Sequence, residues 1–295
     1  MTCPIVVGTD LSDASDECLV QAEARATRDH SPLTVVHASS PLPWLNGDDS
    51  QDLGQLRRLI RERMKRLTGR PESSFSTLVE SGLAHTVLTR IAVAQRALLV
   101  VGRCAASGGG HALLRDLAEQ LLLHARGPLL VTRRRRGSGR LLVAVDAPFG
   151  HADELETARQ EARIASCRLS VVHCIPRGVV EALTAEALEG CGHTATQLFG
   201  RQPRLTATYE ALRAELVRRG IDAELHVAEG DPERLIPDLA DKLGAELVVL
   251  GCSQRPARTS HVTLGVLRRL PCSALVAASS CVSLRPDPSD PSKPS

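Results

Sequence analysis

Aromatic residues are almost absent from the sequence, which contains three Phe, one Trp and one Tyr among 295 residues. Its hydrophobic residues, 43% of the total, are therefore mainly aliphatic, and we expect a core of Leu, Val, Ile and Ala. Proteins that bind single-stranded nucleic acid stack the bases on aromatic side chains. The shortage of aromatic residues therefore argues against a surface of that kind.

Neither sign of charge is in large excess. The sequence has 36 basic and 34 acidic residues, so its formal net charge is +2. Such a balance does not require a polyanionic partner. The run of four arginines at 133–136 is followed by a Gly-Ser-Gly sequence, which is typical of a solvated linker. We therefore do not expect nucleic acid as a partner, and DNA binding through this run is only a third hypothesis.

The sequence also lacks a long apolar run and a paired-cysteine pattern. No run approaches the roughly 20 apolar residues that span a bilayer, and the N-terminus lacks the pattern of a secretory signal. The nine cysteines are scattered without a Cys-x-x-Cys pair, which favours a reducing compartment over a disulfide framework. We therefore expect a cytoplasmic protein with no membrane partner. Residues 280–295, rich in Pro, Ser and Asp, are predicted to be a disordered tail.

Four apolar blocks recur in the same order along the chain. IVVGTD at 5–10 and LTVVHAS at 33–39 return 136 positions later as LLVAVD and LSVVHCI. ALLVVGR at 97–103 returns 149 positions later as ELVVLGC, and PLLVTR is matched by SALVAA. The pattern indicates a duplication, with an insertion near 176–202 in the second copy.

Helical patterns lie between these blocks. Ser12 and Asp13 offer an N-cap for the first helix, and the Gly-Asp-Pro sequence at 230–232 is a second start signal. Residues 51–67 have the period of an amphipathic helix. This period places Leu53, Leu56, Leu59, Ile60 and Arg63 near one face of that helix.

The order of these elements predicts two tandem α/β domains. Strands that are apolar throughout belong inside a parallel sheet covered by helices. Each domain is therefore expected to be a doubly wound, five-stranded parallel sheet, with ligands bound beyond the carboxyl ends of its strands. We place the first domain at 1–134, a basic Gly/Ser linker at 135–140 and the second domain at 141–279.

Five motifs, each present in both copies, resemble those of the universal stress protein family. They are the Asp that closes the first strand, the HxxxP-like exit of the second strand (HASSP, HCIP), the turn before the third helix (GLAHTVL, GDPERLI), the VVG or VLG end of the fourth strand, and the last helix with its strand (LLLHARGPLLV, VLRRLPCSALV). The chain is similar to a tandem member with two UspA-like domains over nearly all of residues 3–278. The resemblance implies adenine nucleotide alpha hydrolase-like domains that pack as an intramolecular pseudo-dimer. It also implies a role in the stress response, and it leaves open a homodimer and an unidentified protein partner.

Members of this family that bind ATP carry a loop of the form G-x2-G-x9-G-[S/T] after the fourth strand. In the first copy, Gly102 takes the first glycine position, and Ala105, Arg115 and Asp116 take the other three. A bulky Arg and a carboxylate replace the residues that let backbone amides and a hydroxyl approach the phosphates. The three glycines at 108–110 lie out of register, which favours a flexible loop tip. The first copy therefore reads as a degenerate ATP loop.

In the second copy the same loop is about four residues shorter. After Gly251 it carries Arg255, Arg258, Thr259 and Ser260 before a helix. Basic and hydroxyl groups at this place suit a phosphate, whereas a solvated turn with a Ser/Thr cap explains the same residues. Both interpretations stay open, and ATP is the only cofactor for which the sequence makes a case.

Two aspartates close the first strand of each copy, Asp10 and Asp146. In the family this Asp lies beside the nucleotide, but a carboxylate here also suits a hydrogen bond to the amides of the next turn. The family's adenine contact falls near Ala38 and Cys174. The nucleotide-binding candidates are thus Asp10, Gly102, Asp146, Gly251, Arg255, Arg258 and Ser260.

No catalytic motif accompanies these candidates, since GxSxG, HExxH and GxxxxGK[ST] are all missing from the sequence. His173 and Cys174 are neighbours on a strand and point to opposite faces, which argues against a shared metal ion. We predict no catalytic residue and no metal ligand. The leading hypothesis is a non-catalytic stress-response protein, and its rival is an ATP-binding switch or slow ATPase that uses the second copy.

Overall fold

The computed structural model describes residues 3–39, 52–102, 117–122, 127–133, 138–145, 152–175, 202–252 and 259–278. The strands are β1 (Ile5–Gly8), β2 (Leu33–Ser39), β3 (Ser76–Ser81), β4 (Leu98–Gly102), β5 (Leu129–Thr132), β6 (Arg140–Val145), β7 (Arg168–Ile175), β8 (Glu224–Glu229), β9 (Leu247–Cys252) and β10 (Ser273–Ala278). The helices are α1 (Asp16–Arg28), α2 (Asp52–Thr68), α3 (Ala84–Gln95), α4 (Ala152–Ala165), α5 (Gln202–Arg218), α6 (Pro232–Leu243) and α7 (Thr259–Arg269). Residues 117–122 are also helical.

One ten-stranded sheet runs through the whole chain in the order β3-β2-β1-β4-β5-β10-β9-β6-β7-β8. Strands β1–β5 with their helices form half 1, and β6–β10 with theirs form half 2. Within each half all neighbouring strands are parallel. The halves join where β5 and β10 pair antiparallel, with Leu130 opposite Leu275. The predicted pair of doubly wound α/β units is thus confirmed, and the two units share a sheet.

The repeat in the sequence is a repeat in strand register. Ile5 pairs with Leu33 in half 1, and Leu141 pairs with Leu169 in half 2, each 136 positions further along the chain. Buried strand residues alternate between the two faces of the sheet. One apolar layer packs against α1, α2, α4 and α5, and the other packs against α3, α6, α7 and the 117–122 helix. Helices cover both faces, as the apolar strands predict.

The start of α6 follows the predicted signal. Asp231 is the N-cap, its side chain accepts a hydrogen bond from the Glu233 amide at 3.0 Å, and Pro232 occupies the first turn. The start of α1 differs from the prediction. A 3-10 turn at Asp13–Ser15 precedes the helix, and the Ser12 hydroxyl donates to the Asp10 carboxylate instead of capping α1.

The face assigned to α2 was partly wrong. Ile60 and Met64 are fully buried, whereas Leu53 and Leu59 are about 45% exposed. A helix that packs on one face of a sheet buries a narrow stripe, and the residues flanking that stripe stay in water. Arg63, which lies beside the stripe, makes polar contacts that are described below.

Polar contacts also join the two halves. The guanidinium of Arg25 forms an ion pair with the carboxylate of Glu161, and Arg268 donates to Glu119 at 2.7 Å. Ser273 donates to the side-chain oxygen of Gln21 at 3.2 Å and accepts from the amide of Arg133 at 2.9 Å. Intramolecular pairing of the halves thus rests on side chains as well as on the β5–β10 ladder. None of the helices described is both long enough and apolar enough to cross a membrane.

Candidate functional site

A cleft opens in half 1 where the carboxyl ends of β1 and β4 lie side by side. The chain leaves these adjacent strands toward opposite faces of the sheet, and such a switch point creates a crevice. Between the described walls the cavity has a volume of about 70 Å³, and it opens to solvent. Its lining is formed by Gly8, Thr9, Asp10, Ser12, Ser15, Val36, Ala38, Ala84, Leu88, Val101, Gly102 and Leu117.

One wall of the cleft is apolar and closely packed. Val36 and Ala38 of β2 point to the same face as Leu88 of α3. A Cβ at Gly8 would lie 2.9 Å from a methyl carbon of Leu88, so glycine lets α3 approach the end of β1. The predicted Ala38 position therefore lies in a slot of small and aliphatic residues.

The opposite wall is a hydrogen-bonded turn that begins at the end of β1. Asp10 Oδ1 accepts from the amide of Ser12 at 3.0 Å and from its hydroxyl at 2.6 Å. The hydroxyls of Thr9 and Ser15 lie 2.9 Å apart, and Thr9 Oγ1 accepts from the Leu11 amide at 3.1 Å. The backbone of Leu11 is in the left-handed region, with φ of 63°. Of the two roles considered for Asp10, the contact that the structure shows is the structural one, within its own turn.

Arg63 of α2 holds this turn from outside. Its guanidinium donates to Asp16 at 2.5 Å, to the Leu11 carbonyl at 2.6 Å and to Asp13 at 2.7 Å. The pKa of Arg63 is raised, chiefly by the hydrogen bond to Asp16 and further by the one to Asp13. Partial burial acts in the opposite direction but is outweighed. Sequence reasoning placed this residue on an apolar face. The sequence did contain a signal for these contacts, because a charged residue at a helix position that borders the core needs a polar partner.

The cleft carries a negative charge. Partial burial of the Asp10 carboxyl works to raise its pKa, but hydrogen bonds from Ser12 outweigh that effect and the pKa lies below its ordinary value of 3.8. Asp10 is thus ionised at neutral pH. Among the described residues that line the cleft, no other side chain is charged. The described lining therefore offers a carboxylate and hydroxyls, but no cation for a phosphate group.

A histidine supports the first strand of each half in the same way. Nδ1 of His37 donates to the Thr9 carbonyl at 2.9 Å, and Nδ1 of His173 donates to the Val145 carbonyl at 2.9 Å. Because a carbonyl only accepts, the proton is on Nδ1 in both rings. Cys174 packs in the apolar layer on the other face of the sheet, as strand geometry predicts. Across the described part of the chain, no three His, Cys, Asp or Glu residues gather as a metal site.

The corresponding edge of half 2 differs at its centre. Gly251 near the end of β9 lies against the carboxylate of Glu154, which is 5% exposed, and a Cβ on Gly251 would overlap that carboxylate. Half 1 has the buried Cys18 at the position of Glu154. The Thr263 hydroxyl donates to the Gly251 carbonyl at 3.2 Å. Half 2 therefore places a buried acidic group beside its first glycine, which sequence reasoning did not foresee.

Cys174 occupies the place in half 2 that Ala38 occupies in half 1. Burial of the thiol, with a smaller contribution from the charge of Asp231, raises the pKa of Cys174 to about 11. The thiol is therefore neutral at physiological pH and acts as a small apolar residue.

The predicted residues lie in half 1, in half 2 or outside the described ranges. Asp10 and Gly102 line the cleft of half 1, and Gly251 lies at the equivalent edge of half 2. Ser260 lies in the first turn of α7, which begins at Thr259. Several predictions fall outside the described residues, namely Ala105, Arg115, Asp116, Asp146, Arg255, Arg258, the 108–110 glycines, residues 135–137 of the linker and the 280–295 tail.

Comparison with known proteins gives one consistent family. The model of the universal stress protein family matches residues 1–133 and, separately, residues 137–278. Among curated proteins, none matches the chain significantly.

Three solved structures share the fold over nearly the whole chain. A universal stress protein from Pseudomonas aeruginosa UCBPP-PA14 is 21% identical with a TM-score of 0.61, covering 94% of this chain and 93% of its own. One from Archaeoglobus fulgidus DSM 4304 is 15% identical with a TM-score of 0.61, covering 95% and 97%. A protein of unknown function from Pseudomonas aeruginosa PAO1 is 22% identical with a TM-score of 0.60, covering 93% and 92%.

Proposed function

The chain belongs to the universal stress protein family, and we propose that it acts in the stress response as a non-catalytic tandem member whose half 1 does not bind ATP. The lack of a cation among the described residues that line the half 1 cleft carries this proposal. Its described lining holds one charged group, the Asp10 carboxylate, which is ionised at neutral pH. A triphosphate needs amide or cationic donors to offset its charge.

The sequence of the loop after β4 supports the same proposal. Where ATP-binding relatives carry a glycine followed by Ser or Thr, this chain has Arg115 and Asp116. A carboxylate in place of the Ser or Thr hydroxyl cannot donate a hydrogen bond to a phosphate, and its charge repels one. We propose that contacts with other proteins, made in the cytoplasm, are the output of this molecule.

A second candidate function is an ATP-binding switch or slow ATPase that uses half 2. The observation in its favour is that α7 begins at Thr259, so that Ser260 lies in a first turn where free backbone amides suit an anion. The buried Glu154 beside Gly251 counts against it, since its side chain occupies space at the strand end where a phosphate would lie.

Calorimetric titration of the full chain with Mg²⁺-ATP, after removal of carried-over nucleotide, distinguishes the non-catalytic protein from the ATP-binding switch. We expect no binding in the micromolar range. Binding of one ATP per chain that is lost in Ser260→Asp would establish the half 2 switch instead. Binding that persists in Ser260→Asp and is strengthened in Asp10→Asn would place ATP in half 1 and contradict the leading proposal.

A further inference from the structure

A basic groove lies at the edge of half 2 opposite to the strand ends described above. Arg140 and Arg168 are the first residues of β6 and β7, and Arg159 and Arg163 project from α4. The groove has a volume of about 610 Å³ and is open to solvent. Its remaining walls include Ser166, Cys167, Gly220, Ile221, Asp222 and Glu224.

Half 1 carries none of these arginines at the equivalent positions. The offset of 136 holds for the β1–β2 and β6–β7 registers and for the left-handed residues that follow the two helices, His30 and Ser166. The same offset therefore relates the four groove arginines to their half 1 counterparts. Those counterparts are Pro4 for Arg140, Glu23 for Arg159, Thr27 for Arg163 and Pro32 for Arg168.

In half 1 a segment of the chain itself fills the equivalent place. Arg70 Nε lies 2.7 Å from Glu23, and its guanidinium also donates to the Thr27 hydroxyl. Arg70 belongs to the connection between α2 and β3, which spans seven residues and contains a 3-10 turn at Glu72–Ser74. The connection between α5 and β8 spans five residues, and the groove beside it is open. Half 1 thus shows the filled form of a site that half 2 leaves unfilled.

The charges of the two sites are inverted. In half 1 an acidic wall residue, Glu23, receives a basic residue of the chain. In half 2 Arg159 is bound by Glu156 of its own helix at 2.6 Å, and Arg140 lies 3.7 Å from Glu224. Within the described part of the chain, neither Arg163 nor Arg168 forms an ion pair, and both are exposed. An occupant that complements them must be negatively charged.

We propose that this basic groove binds an acidic peptide segment of a partner protein. In half 1 a chain segment reaches the equivalent place through Arg70, which pairs with Glu23. Arginine in turn binds carboxylates through paired hydrogen bonds. The groove is open to solvent along its length, so an extended segment can enter it from outside. The scarcity of aromatic residues offers little surface on which bases could stack, which disfavours single-stranded nucleic acid. The inference deepens the protein-contact part of the proposed function and is independent of ATP binding.

Fluorescence anisotropy with a labelled hexaglutamate peptide tests the groove on the full chain. We expect binding that weakens as salt is added, because charge pairs at a surface are screened. Arg163→Gln/Arg168→Gln is expected to weaken binding about tenfold or more, the equivalent of one lost charge-assisted contact. The matched control is Arg57→Gln/Arg58→Gln, which removes the same charge from the exposed side of α2.

A second variant installs the residues of half 1 in the groove. Arg159→Glu/Arg163→Thr has side chains that the fold already accepts at these positions, and it should abolish peptide binding with an unchanged circular dichroism spectrum. Equal losses in the groove variant and the α2 control would overturn the proposal, as would tighter binding of an oligothymidylate than of hexaglutamate. An ATP titration that contradicts the proposed function leaves these peptide measurements unaffected, so the two failures are distinguishable.

Discussion

Arg63 is the residue that connects the outer helix of half 1 to the wall of its cleft. The three groups that it binds, Asp16, the Leu11 carbonyl and Asp13, belong to one short stretch after β1. Leu11 has a positive φ, which costs free energy for a branched side chain. The guanidinium offsets this cost by fixing the carbonyl of the strained residue. Arg63 is therefore a positioning residue for the turn that presents Asp10.

We expect Arg63→Met to lower the free energy of unfolding by about 2 kcal/mol, since hydrogen bonds to charged groups contribute about 1.5–3 kcal/mol. Arg63→Lys should lose part of this, because an ammonium cannot donate in the same fixed geometry to three acceptors. Urea unfolding of the wild type and both variants measures the difference. If Arg63→Met lowers the free energy of unfolding by less than about 0.5 kcal/mol, the turn is stable without the contacts of Arg63.

Asp10 makes the stability of half 1 depend on pH in a defined direction. Its pKa is lowered in the folded protein, so ionisation stabilises the fold above the ordinary value of 3.8. This contribution is lost as the pH falls through the folded pKa. Asp10→Asn is expected to be less stable than the wild type by about 0.5–1 kcal/mol at pH 7, because the neutral amide accepts weaker hydrogen bonds from Ser12. The difference should shrink below about pH 4.

Thermal unfolding between pH 3 and pH 7 measures this difference. Glu210→Gln is the control, because Glu210 is exposed and no hydrogen bond or ion pair of its side chain occurs among the described residues. Its effect on the melting temperature should not change over this range as that of Asp10→Asn does. A wild-type advantage over Asp10→Asn that stays constant down to pH 3 would refute the role of the charge.

The turn before α3 and α6 is the element that both halves preserve most closely. Gly82 and Gly230 have φ values of 147° and 151°, which L-residues rarely adopt. Their amides donate to the carbonyls at the ends of β2 and β7, Ser39 at 3.0 Å and Ile175 at 2.9 Å. Each glycine thus ties the start of a helix to the neighbouring strand at the level of the cleft.

Gly82→Ala should destabilise the protein by about 2 kcal/mol, because the backbone would be strained and the new Cβ would lie 2.9 Å from a methyl carbon of Val87. Gly54→Ala is the matched control, in which the same change is expected to stabilise the protein. Gly54 lies within α2 with no atom within 4 Å of a new Cβ, so helix propensity predicts a gain of up to about 1 kcal/mol. Equal effects of the two substitutions in urea unfolding would contradict the conformational argument.

Sequence patterns predicted elements more successfully than contacts between elements. The block LTVVHAS coincides with β2, and the Asp231 cap begins α6 as expected, because both depend on neighbouring residues. The pairing of Arg63 with the turn after β1, and the position of Glu154 against Gly251, depend on which helix faces meet. Contacts between distant helix faces leave no local pattern in a single sequence. The strand ends of the cleft were therefore predictable, and the polar groups that support it were not.

At the scale of the whole molecule, the two halves meet as related but unequal partners. Arg25 and Glu161 are equivalent positions of the repeat, 136 residues apart, and they pair with each other across the junction. In a symmetric dimer of one half, the same position would meet itself and place like charges together. Arg28 adds a second contact to Glu161 at 3.5 Å. The duplication has thus acquired opposite charges that favour pairing within the chain.

This ion pair gives a prediction for a double-mutant cycle. Arg25→Met should cost about 3 kcal/mol, because Glu161 is 9% exposed and, within the described ranges, keeps only Arg28 as an ion-pair partner. Glu161→Met should cost less, about 2 kcal/mol, since Asp29 remains close to both arginines. Replacing both by Met should cost clearly less than the two losses added together, because apolar side chains of similar volume then pack across the junction. Additive losses in the free energy of unfolding would mean that Arg25 and Glu161 stabilise the protein separately, and the charge-based account of how the halves recognise each other would then fail.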